Sequence, residues 1–256
     1  MTASMRWHEA SDISSGTPGA PRGPSPARNR PLLVLGLSLA LGLAATTARA
    51  ADCRAPAEPG IDWSACDRSN LMLSGARLDG ARLADTDFSL TDLREADLSG
   101  ADLEKATLVR ASLAGARADD ASFRKVEGYR ANFSDLSAKD ASFEGGEFQR
   151  ANFRGADLAG SRFDKAELGR VYFEGADLTG AGFRYANLAR AHFAGVTLAG
   201  QPDFTGAYLY LTRLEGVDLS TATGLAQAQV ALACGDDATI LPEGLSRPTD
   251  WPCPKE

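Results

Sequence analysis

The apolar positions of this chain recur every five residues from Leu73 onward. With the large apolar residue taken as the centre, centres run 73, 78, 83 and on to 198 without a break, 26 in all, and 23 are Leu or Phe. The exceptions are Ala118, Gly128 and Ala138. Two residues before the centre stands Ala in 17 of the 26 quintets, with Val, Thr, Ser, Gly or Leu in the others. Among the Leu and Phe residues of 71–198, only Leu90 lies outside these two positions. A helix face needs a period of about 3.6 and a strand a period of 2, so neither explains the spacing. A chain that turns a corner every five residues does. One small and one large residue of each quintet then point inward, and the other three face water. Gly at the last position, as in Gly80, Gly100, Gly155 and Gly180, suits a corner with unusual backbone angles.

Four corners close a square coil of twenty residues, and stacked coils share backbone hydrogen bonds at about 4.8 Å spacing. Residues twenty apart should then match. Phe123, Phe143, Phe163 and Phe183 form one such column, and Phe133, Phe153, Phe173 and Phe193 form the opposite one. Phe204 continues the first column if one residue is inserted near Gln201-Pro202. Ala118, Ala138 and Gly128 fall on the other two sides where the Phe columns begin, trading volume inside a narrow core.

The quintets Ala96-Asp-Leu-Ser-Gly100, Ala156-Asp-Leu-Ala-Gly160 and Ala176-Asp-Leu-Thr-Gly180 resemble the pentapeptide repeat family. The resemblance covers residues 71–222 and implies an all-β fold: a right-handed quadrilateral parallel β-helix with small N- and C-terminal caps. Some members of that family imitate duplex DNA by shape and negative charge and bind DNA gyrase. The resemblance is specific for fold and leaves function open, because one fold hosts many roles.

The flanks read differently. Residues 1–50 carry Arg6, Arg22, Arg28 and Arg30 against Glu9 and Asp12, then an apolar run over 31–45, then Ala48-Arg-Ala50. This is the pattern of a signal peptide with an extended n-region, cleaved after Ala50. The run is shorter than the ~20 residues a membrane span needs, so no transmembrane helix is expected in the mature chain. The expectation is a bacterial protein in the periplasm or secreted. Residues 51–70 form an N-terminal cap and 223–256 a C-terminal cap. In the latter a short helix is expected over about 225–233, with Thr221 or Thr223 as N-cap and Gly235 past its end. The four cysteines, Cys53, Cys66, Cys234 and Cys253, all lie in the caps. An even count in an exported chain points to disulfides, with three pairings formally possible. Caps held about 36 Å apart by the coils favour Cys53–Cys66 and Cys234–Cys253, because bonded Cα atoms lie within about 7 Å. The chain has no Cys-x-x-Cys to suggest zinc.

Charge narrows the function. The chain carries −7, and 22 basic against 32 acidic residues, net −10, after residue 50. That argues against a nucleic-acid binder, which carries a basic footprint. The repeat region alone holds 23 acidic and 18 basic residues, so it is mixed rather than uniformly acidic. The only His after residue 50 is His192. With no nucleophile elbow, phosphate-binding Gly loop or His cluster, no catalytic residue, metal or cofactor is expected, and the chain reads as no enzyme. One surface feature stands out. Arg110, Arg130, Arg150, Arg170 and Arg190 lie twenty apart, so the coil puts them in one ladder. Glu127, Glu147 and Glu167 run three residues earlier on the same side. The ladder either pairs with those glutamates and staples the coils, or docks an anionic partner; three of five Arg having a Glu nearby favours pairing. The function expected is a non-catalytic exported module presenting a rigid charged surface to a protein or envelope component. The alternative is a DNA mimic that binds gyrase in the cytoplasm.

Overall fold

The computed structural model describes residues 51–254, so the export segment expected over 1–50 lies outside the described residues. Within 51–254 the chain winds with a period of twenty. Parallel bridges join residues twenty apart from Asp62–Arg82 to Asp177–Thr197, one bridge per quintet. Each turn therefore has four sides, and each side is a short β segment stacked on its counterparts above and below. The offset becomes 21 at Gly182–Asp203, Asn187–Tyr208 and His192–Arg213, and returns to 20 at Asp203–Thr223. The one-residue slip seen at Gln201-Pro202 is absorbed there without breaking the stack.

Each quintet builds the same corner. The Leu78 carbonyl accepts from the Ala81 N–H at 3.1 Å, and Gly80 between them has φ +63°. This is the hydrogen bond and positive angle of a type II turn. Positive φ recurs at every fifth position from Gly60 to Gly200, whether or not Gly occupies it. The residue before the centre has a local task too. The Asp177 carboxylate accepts from the Thr179 N–H at 2.9 Å and its hydroxyl at 2.6 Å. Asp62, Asp67, Asp87 and Asp92 accept from the backbone N–H two residues on in the same way. Asp and Asn thus recur before the centre because they satisfy a corner donor.

The interior is filled by the two inward positions. Phe123, Phe143 and Phe163 stack at 4.8 and 4.6 Å with planes within 6°. Phe133 and Phe153 stack at 4.6 Å in the opposite column, and the two columns meet edge to face, as at Phe153–Phe163. Phe148 enters from a third side. A Cβ on Gly128 or Gly146 would come within 2.6 or 2.3 Å of its ring, so both glycines leave the space that ring occupies.

The ends differ from expectation in three ways. The coils begin earlier than 71: Asp62 and Asp67 already pair with Arg82 and Asp87, leaving 51–60 before the first coil. Trp63 is fully buried there, with the Arg68 guanidinium 3.5 Å above its ring. The helix expected over 225–233 is the single turn α1, Gln227–Val230. Its N-cap is Ala226, whose N–H donates to Gln229 Oε1 at 2.8 Å. Thr221 and Thr223 do not cap it, because their hydroxyls donate to the carbonyls of Leu198 and Pro202 in the coil below. Cys234 and Ile240 then return to the stack as bridge partners of Arg213 and Asp218. Gly235 is not a left-handed helix stop; a Cβ there would lie 2.2 Å from the Trp251 ring, which packs over it.

Candidate functional site

The cysteines are bonded as Cys53–Cys66 and Cys234–Cys253, each with Cα atoms 5.4 Å apart. Each bond closes one end and leaves the coils free of thiols. Among the described residues no group of His, Cys, Asp and Glu is arranged to hold a metal, and no helix is long and apolar enough to cross a membrane.

The five ladder arginines occupy the last position of their quintets. Arg110, Arg130, Arg150, Arg170 and Arg190 all have φ between +57° and +62°. An L residue pays about 1–2 kcal/mol for that conformation, and Gly avoids it. The next corner around the coil carries Gly75, Gly115, Gly155, Gly175 and Gly195 in the equivalent place, whereas the arginine corner has no Gly from Asn70 to Leu211. A guanidinium projects from this edge at five successive coils despite the strain.

The expected pairing with the Glu column does not form for the free members of the ladder. The side chains of Arg110, Arg150 and Arg170 make no ion pair or hydrogen bond, and Arg130 lies over the Tyr129 ring at 5.2 Å. Glu167 accepts instead from Asn187 Nδ2 at 2.7 Å. The reason is geometric. A Glu before the centre stands off the flat side, while the ladder residue is the third residue of the turn, where left-handed backbone carries its side chain off the edge. The ion pairs of the coils mostly join residues before or just after the centre, as in Arg117–Asp97, Arg124–Glu144 and Arg162–Glu144.

The arginines of residues 71–222 outside the ladder are paired. Arg77, Arg82, Arg94, Arg117, Arg124, Arg154, Arg162, Arg184 and Arg213 each have a carboxylate within 4 Å. The edge also has two unlike flanks. On one runs the Glu127, Glu147, Glu167 column. On the other the residues before the centre run Asp92, Ser112, Asn132, Asn152, Tyr172, His192 and Arg213, and after the centre Glu174 pairs with Arg154 at 3.1 Å. A groove of about 490 Å³ lies toward that second flank, lined by Arg130, Arg150, Arg170 and Tyr172. The period finds the arginines but not the groove, nor the run from Ser112 to His192 without a carboxylate before the centre, which appear only when each side is read as its own column.

Stacked parallel turns with five-residue sides define a quadrilateral β-solenoid. Residues 73–200 match the pentapeptide repeat pattern in eight copies, and the chain belongs to the pentapeptide repeat family. Similar solved structures include HetL, a pentapeptide repeat protein involved in heterocyst differentiation regulation in the cyanobacterium Nostoc sp. strain PCC 7120. It is 27% identical with a TM-score of 0.38, over 74% of this chain and 93% of that one. A pentapeptide repeat protein of the Arabidopsis thaliana thylakoid lumen is 28% identical, over 44% of this chain and 66% of that one, with a TM-score of 0.23. QnrB1, a plasmid-mediated fluoroquinolone resistance protein, is 17% identical over 72% of this chain and 91% of that one, with a TM-score of 0.44. No curated protein matches the chain.

Proposed function

We infer that this chain is an exported, non-catalytic interaction module that holds a partner against its arginine edge. The observation that carries the reading is selective pairing: the nine arginines of residues 71–222 outside the ladder each have a carboxylate within 4 Å, and the side chains of Arg110, Arg150 and Arg170 have none. Unpaired like charges about 5 Å apart repel, so the folded protein keeps an unfavourable feature that an anionic partner would relieve. Two terminal disulfides suit an oxidising compartment, and the leader pattern of residues 1–50 supports export.

The competing reading, a DNA mimic in the cytoplasm, requires a predominantly negative surface. The arginine edge has the opposite sign. Intact mass on cell fractions separates the two readings. Export predicts a chain starting at Ala51, with two disulfides, outside the cytoplasm. A full-length, reduced, cytoplasmic chain would overturn export and make gyrase binding the next assay.

A further inference from the structure

We propose that the groove beside the arginine edge binds a linear polyuronate, an acidic polysaccharide with one carboxylate per sugar, laid along the coil axis. The proposal rests on the module reading and supplies its ligand chemistry.

Spacing comes first. Four guanidinium positions, Arg110, Arg130, Arg150 and Arg170, recur once per coil along a straight line, spanning about 14 Å at one strand spacing per step. The matching ligand is straight and repeats its same-face anions at that step or a whole multiple of it. An extended hexuronate chain advances by about one coil spacing per sugar and turns over at each, so its carboxylates on one face are about two coil spacings apart and meet every second arginine. An extended acidic peptide fits less well, because carboxylates on one face are two residues apart, about 6.6–6.8 Å, and lose register within two coils.

The flank supplies the second requirement. A sugar presents neutral hydroxyls beside its carboxylate. Ser112, Asn132, Asn152 and Tyr172 form a hydrogen-bonding column without carboxylates alongside the arginines, with the same repeat. Asn152 Nδ2 donates to Asn132 Oδ1 at 2.9 Å, which holds the two amides in line and leaves the Asn132 amide hydrogens for a ligand. A bare phosphate polymer has no use for such a column.

The aromatics give the third argument. Single-stranded nucleic acid binds where aromatic faces are free to take bases. The Tyr172 ring is not free: the Arg154 guanidinium lies over it at 4.1 Å, and His192 stacks on it at 4.9 Å. These come from the coils on either side of its own, so only the ring edge and hydroxyl meet the groove. Guanidinium forks suit carboxylates through paired N–H donors, and the Glu column on the far flank confines an anion to the groove side.

The test is calorimetric titration of the disulfide-intact chain from residue 51 with hexagalacturonate, at low salt. Binding is expected, with affinity that rises with oligomer length up to about four sugars and falls as salt is raised. The triple variant Arg130→Gln, Arg150→Gln, Arg170→Gln should lose about tenfold or more. Arg77→Gln, Arg117→Gln, Arg184→Gln removes the same charge from other sides and should bind as the parent does. The triple Arg→Lys variant at 130, 150 and 170 guards against misfolding: it keeps the charge, loses the forks and should fall between. Methyl-esterified hexagalacturonate should not bind. Absence of hexagalacturonate binding overturns the proposal. So does equal loss in both Gln triples, or equal or tighter binding of polyphosphate, polyglutamate or oligothymidylate. Labelling of the edge arginines in the native compartment separates the two levels: protection there with no polyuronate binding defeats the ligand assignment and leaves the module standing.

Discussion

At the scale of the residue, position within the quintet decides cost. Phe153 is fully buried between stacked and edge-on rings. Phe153→Ala should cost about 3–5 kcal/mol, from lost transfer energy and a cavity the rigid coil does not close. Asp177→Ala strands a corner N–H and should cost about 1 kcal/mol. Glu147→Ala, on an exposed side, should change stability by under about 0.5 kcal/mol. Urea unfolding of the three variants checks the order, and equal costs would contradict the register. Asp62 gives a pH prediction. The Arg82 guanidinium, followed by the Ser64 hydroxyl and N–H, lowers its pKa from 3.8 to about 2. A depressed carboxylate stabilises the fold above its unfolded pKa, and that contribution is lost as pH falls from about 4 to about 2. The urea midpoint should therefore drop across that window, and Asp62→Asn should flatten part of the drop. An unchanged slope in the variant would assign the acid sensitivity elsewhere.

Residue types also explain what the sequence made legible. The large and small inward positions state the period directly, because burial tolerates little else there. The Asp before each centre was read as solvated surface, although it accepts a corner N–H, since both roles favour the same residue. The arginine edge was placed correctly while its pairing was not. Spacing of three residues says nothing about a side chain that leaves the edge from left-handed backbone.

At the scale of the element, the coils are uniform and the ends are not. A solenoid exposes strand edges and core at its termini unless something covers them. Here the covers are a buried Trp with a cation over it at one end, and one helical turn with Trp251 at the other. The Trp251 indole N–H donates to the Ala233 carbonyl at 2.7 Å, beside the Cys234–Cys253 bond. Reducing that bond, or Cys234→Ser with Cys253→Ser, should cost about 2–4 kcal/mol. Amide exchange should accelerate over 223–254 first, with the central coils still protected. Uniform acceleration along the chain would show that the end and the coils unfold as one unit. These ends were the least legible part of the sequence because they lack a period. Their corners are set by single contacts, such as Gly235 beneath the Trp251 ring, that no spacing announces.

At the scale of the whole molecule, net charge and local charge diverge. A chain of net −7 carries a straight cationic edge because each side of the coil is an independent column. Screening over about 8–10 Å lets a bound anion respond to that column more than to acids on the other sides. Composition alone pointed away from polyanions; column-by-column reading points toward one. The direct measurement is arginine footprinting with phenylglyoxal, comparing the purified chain with the protein in its native compartment. Protection of Arg110, Arg130, Arg150 and Arg170 in the compartment, with Arg77 and Arg117 labelled equally in both, is the expected result. Equal labelling of the edge arginines in both settings would contradict a partner held there.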